Sequence, residues 1–385
     1  MKALKEYIFE SWTQGWELSP QSRKKLLGLD REYNELVKKI NEFNSNDIPN
    51  LDEEMDRFFK ARNDNKKYYP KLKLNYCPFD SNGIVGELEK LLGKFENFQE
   101  CYLSKFYIEN IRYHIKYCKY FIDKKGDPKK SWDGTNVSEA LYKKAIKSLK
   151  TCKYQSIREL ETISVSKVLK VFEEELEKLG YGWDVELVPH QSSKVDINTP
   201  GIIKLSSNAK YYKAELESLI EHYIRCCVGR KYYGYQSGLY IFIHGLAGSN
   251  KLTNGLIYNG ILDMDEPKPN TLLNICIKYI IGYLKQTMGF YEIFNELKQI
   301  TKDCGIPDRI LFKMIAKSKH ELVDTKLPGG FENDVINFEG YQIVNKMNDD
   351  EIDNILKYNI GQGQLKELSN IKNFLDQNKF KPIKI

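Results

Sequence analysis

The chain has 385 residues, 41% hydrophobic and 29% charged, the composition of a globular protein with a sizeable core rather than of a disordered or fibrous one. Its 59 Lys and Arg against 53 Asp and Glu leave a net charge of +6, too small an excess for the concentrated basic face of a nucleic-acid binder. Runs such as Lys124-Lys125 and Lys129-Lys130 read as solvated surface.

From Met1 to Glu10 charge and aromatics alternate too evenly for a secretory leader. Leu36 to Phe43 and Met55 to Arg62 have amphipathic helical periodicity, and Asn63 to Lys71, with Pro70, is a polar connector. Ile84 to Phe98 and Ile108 to Phe121 follow as helices. Gly126-Asp127-Pro128 and Trp132-Asp133-Gly134 then break the pattern. A boundary here divides a helical N-terminal region, 1–133, from a second domain, 134–385.

In that second domain Val165, Val168, Leu169, Phe172, Leu176 and Leu179 mark one helix face, and Gly180 supplies a left-handed stop. Trp183 to Val188 and Gly201 to Leu205 read as strands. Ser206-Ser207-Asn208 offers helix-start chemistry. The helix after it carries Leu216, Leu219, Ile220, Tyr223, Ile224 and Cys227 on one face and is expected to end near Gly229. Leu272 to Leu284 is the most apolar stretch, but Lys278 interrupts it, so it reads as a buried helix and not a membrane span. The fold class expected is α+β, with a small sheet and a long central helix.

The eight cysteines show no Cys-x-x-Cys spacing and read as reduced, mostly buried residues of an intracellular protein. His114 and His190 have no partner in sequence and read as structural. The tyrosines Tyr211-Tyr212 and Tyr232-Tyr233-Gly234-Tyr235 either line a peptide groove or pack with their hydroxyls at the surface. Gly245 to Lys251 lacks the spacing of a phosphate-binding loop.

Several blocks keep the order of a known family. They are Gly245-Leu246-Ala247-Gly248 with Gly255-Leu256, and Gly289 to Phe294, expected inside the long helix after the site. Asp324-Thr325, Pro328-Gly329-Gly330-Phe331, Asp334 and Glu339-Gly340 follow, then Tyr358 to Gly363 and the Leu365 to Leu375 helix. From Val168 to Phe380, and more weakly over Asn41 to Phe59, the chain resembles the zincin-like metallopeptidases that include the microtubule-associated tyrosine carboxypeptidases. The resemblance implies a zincin-like domain over 134–385.

The family's His-Glu-x-x-x-His motif aligns, through Arg225 and Gly229, with Glu217 to His222. Only His222 survives: Glu217 replaces the first zinc ligand and Ser218 replaces the catalytic glutamate. Thr253 and Asn254 stand where a Glu-Glu pair supplies the third ligand, and Lys319-His320-Glu321-Leu322 and Asn337 also depart from the pattern. A catalytic zinc needs about three protein ligands and an open position. A serine hydroxyl cannot replace the carboxylate that moves protons. The resemblance therefore implies an inactive homologue without zinc, with no intact catalytic or metal residue, acting as a binding or structural component in a larger assembly. Its implied partner is tubulin or the microtubule, with no role for nucleic acid or membrane.

Alternatives stay open at this point. One is an active metallocarboxypeptidase with a rearranged site built from Glu217, His222 and Cys226, the last two at helical i, i+4 spacing, with His244 nearby in sequence. Another pairs Ser218 with His222 as a hydrolase, though no nucleophile elbow surrounds Ser218. His320-Glu321 begins a zincin signature that no second histidine completes.

Overall fold

The computed structural model describes residues 17–41, 48–73, 81–123, 137–156, 160–189, 193–265, 270–319, 324–330 and 335–384. The breaks expected at Gly126 to Pro128 and at Trp132 to Gly134, together with His190, His320 and Glu321, lie outside them, as does the boundary placed at 133.

Helices dominate. The first part contributes α1 (Pro20–Asn41), α2 (Leu51–Asn63), α3 (Ser81–Glu96), α4 (Ser104–Asp123) and α5 (Glu139–Leu149). The α6 helix, Val165–Leu179, follows from its apolar stripe. Ser164 Oγ caps its start by accepting from Lys167 N, and Gly180, at φ 68°, ends it.

The strands are short: β1 (Thr162–Ile163), β2 (Asp184–Val188), β3 (Val195–Asp196), β4 (Ile202–Ser206) and β5 (Tyr211–Tyr212). β4 is the centre of a three-stranded sheet, parallel to β2 and antiparallel to β3, while β1 and β5 form a separate antiparallel pair. The architecture is thus mostly helical with small sheets, in agreement with the α+β expectation at that level.

The central helix runs through Lys213–Glu215, α7 (Leu216–Leu219), a π-helical stretch Ile220–Val228, and α8 (Gly229–Ser237). It does not end near Gly229. That glycine is small because the Tyr181 hydroxyl lies 2.9 Å from where a Cβ would stand, and the stop is Gly238, at φ 76°. Beyond it lie α9 (Tyr240–His244), α10 (Ser249–Leu262), α11 (Thr271–Leu284), α12 (Phe290–Ile300), α13 (Asp308–Lys319), α14 (Val335–Val344), α15 (Asp349–Tyr358) and α16 (Leu368–Asn378). Gly289 caps α12 rather than sitting inside a long helix, because Phe290 N–H turns to donate to Thr325 O at 2.9 Å. No helix among the described residues is long and apolar enough to cross a membrane.

Among the described residues, three apolar clusters hold these elements. One joins Leu26, Tyr33, Leu88, Phe95 and Ile111 of α1, α3 and α4 to Phe242, Leu252, Ile355 and Phe374 of α9, α10, α15 and α16. A second joins Phe58 of α2 and Leu149 of α5 to α11, α12, α13 and Phe338 of α14. The third seats α6 and the sheet on the central helix through Phe172, Trp183, Leu205, Ile220, Ile224 and Val228. Residues from both sides of position 133 share the first two clusters.

Candidate functional site

The π-helical stretch decides which side chains meet. An α-helix turns about 100° per residue, so residues five apart point about 140° away from each other. A π-helix bonds i to i+5 and sets such residues nearly in line, a geometry that recurs at functional sites. Ile220, Ile224 and Val228 bury in the third cluster, while His222 and Cys227, five apart, come together on a half-buried flank.

Ser218 and His222 line a cleft of about 450 Å³ between the central helix, α10, α11 and α13. Its other polar walls include Tyr258, Lys278, Lys313 and Lys317, and no carboxylate lines it among the described residues. His222 stacks flat on Tyr223, with ring centroids 4.3 Å apart at 3°. The Ser218 hydroxyl is directed at the Met264 sulfur, 4.0 Å away, and not at His222. Asn337 donates to the Tyr258 hydroxyl at 3.5 Å, which sets this altered position directly behind the cleft wall.

The other expected site residues turn elsewhere. Glu217 is an exposed partner of Arg225, whose guanidinium reaches Glu217 at 2.8 Å, Glu175 at 2.9 Å and Glu221 at 3.3 Å. Burial raises the Glu221 carboxyl, with Arg225 opposing. The Thr253 hydroxyl donates to Ser249 O at 2.8 Å, and Asn254 is half-buried outside the residues lining the cleft. His244 is held by Asn34 at 2.8 Å, far from the role of a fourth partner to His222 and Cys226. The hydroxyl of Tyr211 is spent on the carbonyls of Lys194 and Ser206, and Tyr232 packs on Tyr181, so neither tyrosine cluster lines this cleft.

Sequence reasoning paired His222 with Cys226 and missed Cys227 and Arg230. Cys226 is buried, with Thr253 O at 3.8 Å as a weak acceptor. The neighbouring Cys226, with His222 and Arg230, holds the Cys227 thiol below its ordinary range. Cys227 and burial together hold Cys226 above it. Arg230 is 5% exposed, and its Nε and Nη2 have no hydrogen-bond partner among the described residues. The only signal available in sequence was the five-residue spacing from His222, which a regular helix would have scattered.

The blocks singled out in sequence meet one another in space. Leu246 N donates to Asn359 O at 2.9 Å, and Asn359 Nδ2 to Phe242 O at 2.8 Å, joining the Gly245 and Tyr358 blocks. Gly329 N donates to Lys285 O at 2.7 Å. Lys251 pairs with Glu339 at 2.5 Å beside the contact of Gly255 with Gly340. No protein-family model matches the chain, and no curated protein matches it.

Proposed function

We propose that the chain is a non-hydrolytic relative of the zinc tyrosine carboxypeptidases, and that it holds an acidic protein tail of the tubulin kind in the Ser218–His222 cleft without cutting it. The observation that carries this reading is the cleft itself: Lys278, Lys313 and Lys317 line it, Lys313 also pairing loosely with Asp52 at 3.5 Å, and no described carboxylate is among the lining residues. Such a lining favours an anionic guest. A reduced, intracellular component of a larger assembly fits the free thiols.

The residues present do not fit a catalytic zinc. Glu217 is committed to Arg225 on the solvent side, the Thr253 hydroxyl is committed to Ser249 O, and His222 alone of the aligned ligands reaches the cleft. The Ser218 hydroxyl is directed at the Met264 sulfur and hydrogen-bonds to no base among the described residues.

The test is fluorescence anisotropy with an acidic, tyrosine-terminated peptide of about twelve residues, in a salt series, with mass spectrometry of the same mixtures after zinc addition. Expected are salt-sensitive binding, loss of it in K278E/K313E, and a peptide of unchanged mass. A peptide shortened by one residue would establish the enzyme reading instead. No binding at low salt would remove the tail from this cleft.

A further inference from the structure

We propose that a second cavity, between the Arg23–Arg31 face of α1 and the segment Lys379–Lys384 after α16, binds a small phosphate ester with an aromatic body, of the nucleoside diphosphate class. It shares no lining residue with the Ser218–His222 cleft, and the inference does not depend on what that cleft holds.

The cavity, about 500 Å³, has the size of a small-ligand site, and packing fixes its walls. Arg23, Leu27, Asp30 and Arg31 lie at i, i+4, i+7 and i+8, one face of α1. On the other wall, Ile383 N donates to Tyr235 O at 2.9 Å and Phe380 packs on the first apolar cluster, so the segment after α16 is tied at two points. Between them it crosses Gly238, where a Cβ would lie 2.5 Å from Lys381 O. Only a glycine lets the two backbones come this close.

Five cations line the cavity, Arg23, Arg31, Lys379, Lys381 and Lys384, against one carboxylate, Asp30. None of the five forms an ion pair among the described residues, whereas further along α1 Lys38 pairs with Glu35 and Lys39 with Glu87. Arg23 is half-buried; its Nε is shut in without a hydrogen-bond partner, and its guanidinium sits 5.9 Å from the centre of the Phe380 ring. Positive charge gathered around a concavity focuses its field there and draws in an anion. Asp30 does not cancel it. That carboxylate is buried and accepts from the Tyr107 hydroxyl, Tyr240 N and Ile241 N, so protein donors already answer its charge. Of the roughly four acceptor positions of a carboxylate these bonds fill three, and the last suits a hydroxyl or amino group of the ligand. Tyr240, Phe380 and Pro382 add an apolar wall for a ring to pack on. Inorganic phosphate would use the cations alone; cations, aromatic wall and acceptor together select a phosphate that carries a ring.

The experiment is calorimetric titration of the full chain with ADP, adenosine and inorganic pyrophosphate, in the parent and in R23Q, K381E/K384E and K278E/K313E. Expected is saturable binding of one ADP per chain, with adenosine and pyrophosphate each at least tenfold weaker because each carries only part of the chemistry. K381E/K384E, at exposed positions, should weaken ADP at least tenfold, and R23Q should do the same, while K278E/K313E leaves it unchanged. Should R23Q fail to fold, the exposed pair carries the test. Pyrophosphate binding as tightly as ADP would overturn the ring-bearing ligand. Absence of saturable ADP binding, or a loss that follows K278E/K313E instead of K381E/K384E, would overturn the site.

Discussion

Gly255 and Gly340 stand face to face where α10 crosses α14, with so little space between the backbones that a Cβ on Gly340 would lie 2.9 Å from Gly255 N and overlap the Lys251 carbonyl. These glycines are 85 positions apart in sequence, and each belongs to a block that sequence reading singled out. What was legible there as a motif is a helix crossing at backbone contact.

Substitution of Gly340 by alanine forces α10 and α14 apart, and overpacking of this kind costs about 3 kcal/mol. Urea unfolding should show a lower midpoint with an unchanged slope. Equal midpoints in G340A and the parent would mean that the crossing relaxes freely.

Asn359 takes a left-handed conformation, φ 48°, while its side chain donates to Phe242 O. Replacement by alanine loses both the tolerance and the bond, about 2–3 kcal/mol together. Replacement by glycine restores the tolerance, so N359G should be the more stable variant by about 1 kcal/mol. Thermal melts of the two variants order them directly.

Acid should destabilise the fold through two histidines. Burial lowers His114 from 6.5 to about 4 and His244 to about 3. The unfolded chain therefore binds protons first, and the stability is present above pH 6.5 and lost as pH falls through the folded values. Each ring keeps an accessible edge, so about 2 kcal/mol apiece is expected by pH 4.5. Asp30 works oppositely: burial raises it from 3.8 to about 6, so acidification relieves a buried charge. Chemical denaturation between pH 7.5 and 4.5 should give a shallower loss in H244Q and a steeper one in D30N. Parallel curves for all three proteins would contradict these assignments.

If the zincin kinship holds, the quadruple change E217H/S218E/T253E/N254E restores the ligand and base types that the family motif places there. Elemental analysis after dialysis should find about one equivalent of zinc in that variant and far less in the parent. A refolded variant without zinc would count against the alignment of these four positions with the family motif.

Local order was readable in sequence where one rule applied at a time. The α6 helix and its Gly180 stop, and the strands at 184–188 and 202–206, follow from periodicity and glycine placement. Gly229 and Gly289 were misread because a glycine demanded by a neighbour's approach looks the same as one that ends or continues a helix. The His222–Cys227 pair was invisible because a period of 3.6 residues was assumed where the helix widens. The lysines of the cleft were invisible because α11 and α13 bring them in from distant sequence, and only packing decides which faces meet.

The first apolar cluster sets a schedule for synthesis. Its earliest members lie on α1, α3 and α4, and its last on α15 and α16, at Ile355, Ile371 and Phe374. A nascent chain would emerge with the faces of Leu26, Leu88 and Phe95 uncovered, and would wait on the order of tens of seconds for the segment that closes over them. The opening helices thus resemble a half-built vault whose keystone is laid last, and termination before α15 would release a fragment lacking the cover of Ile355, Ile371 and Phe374.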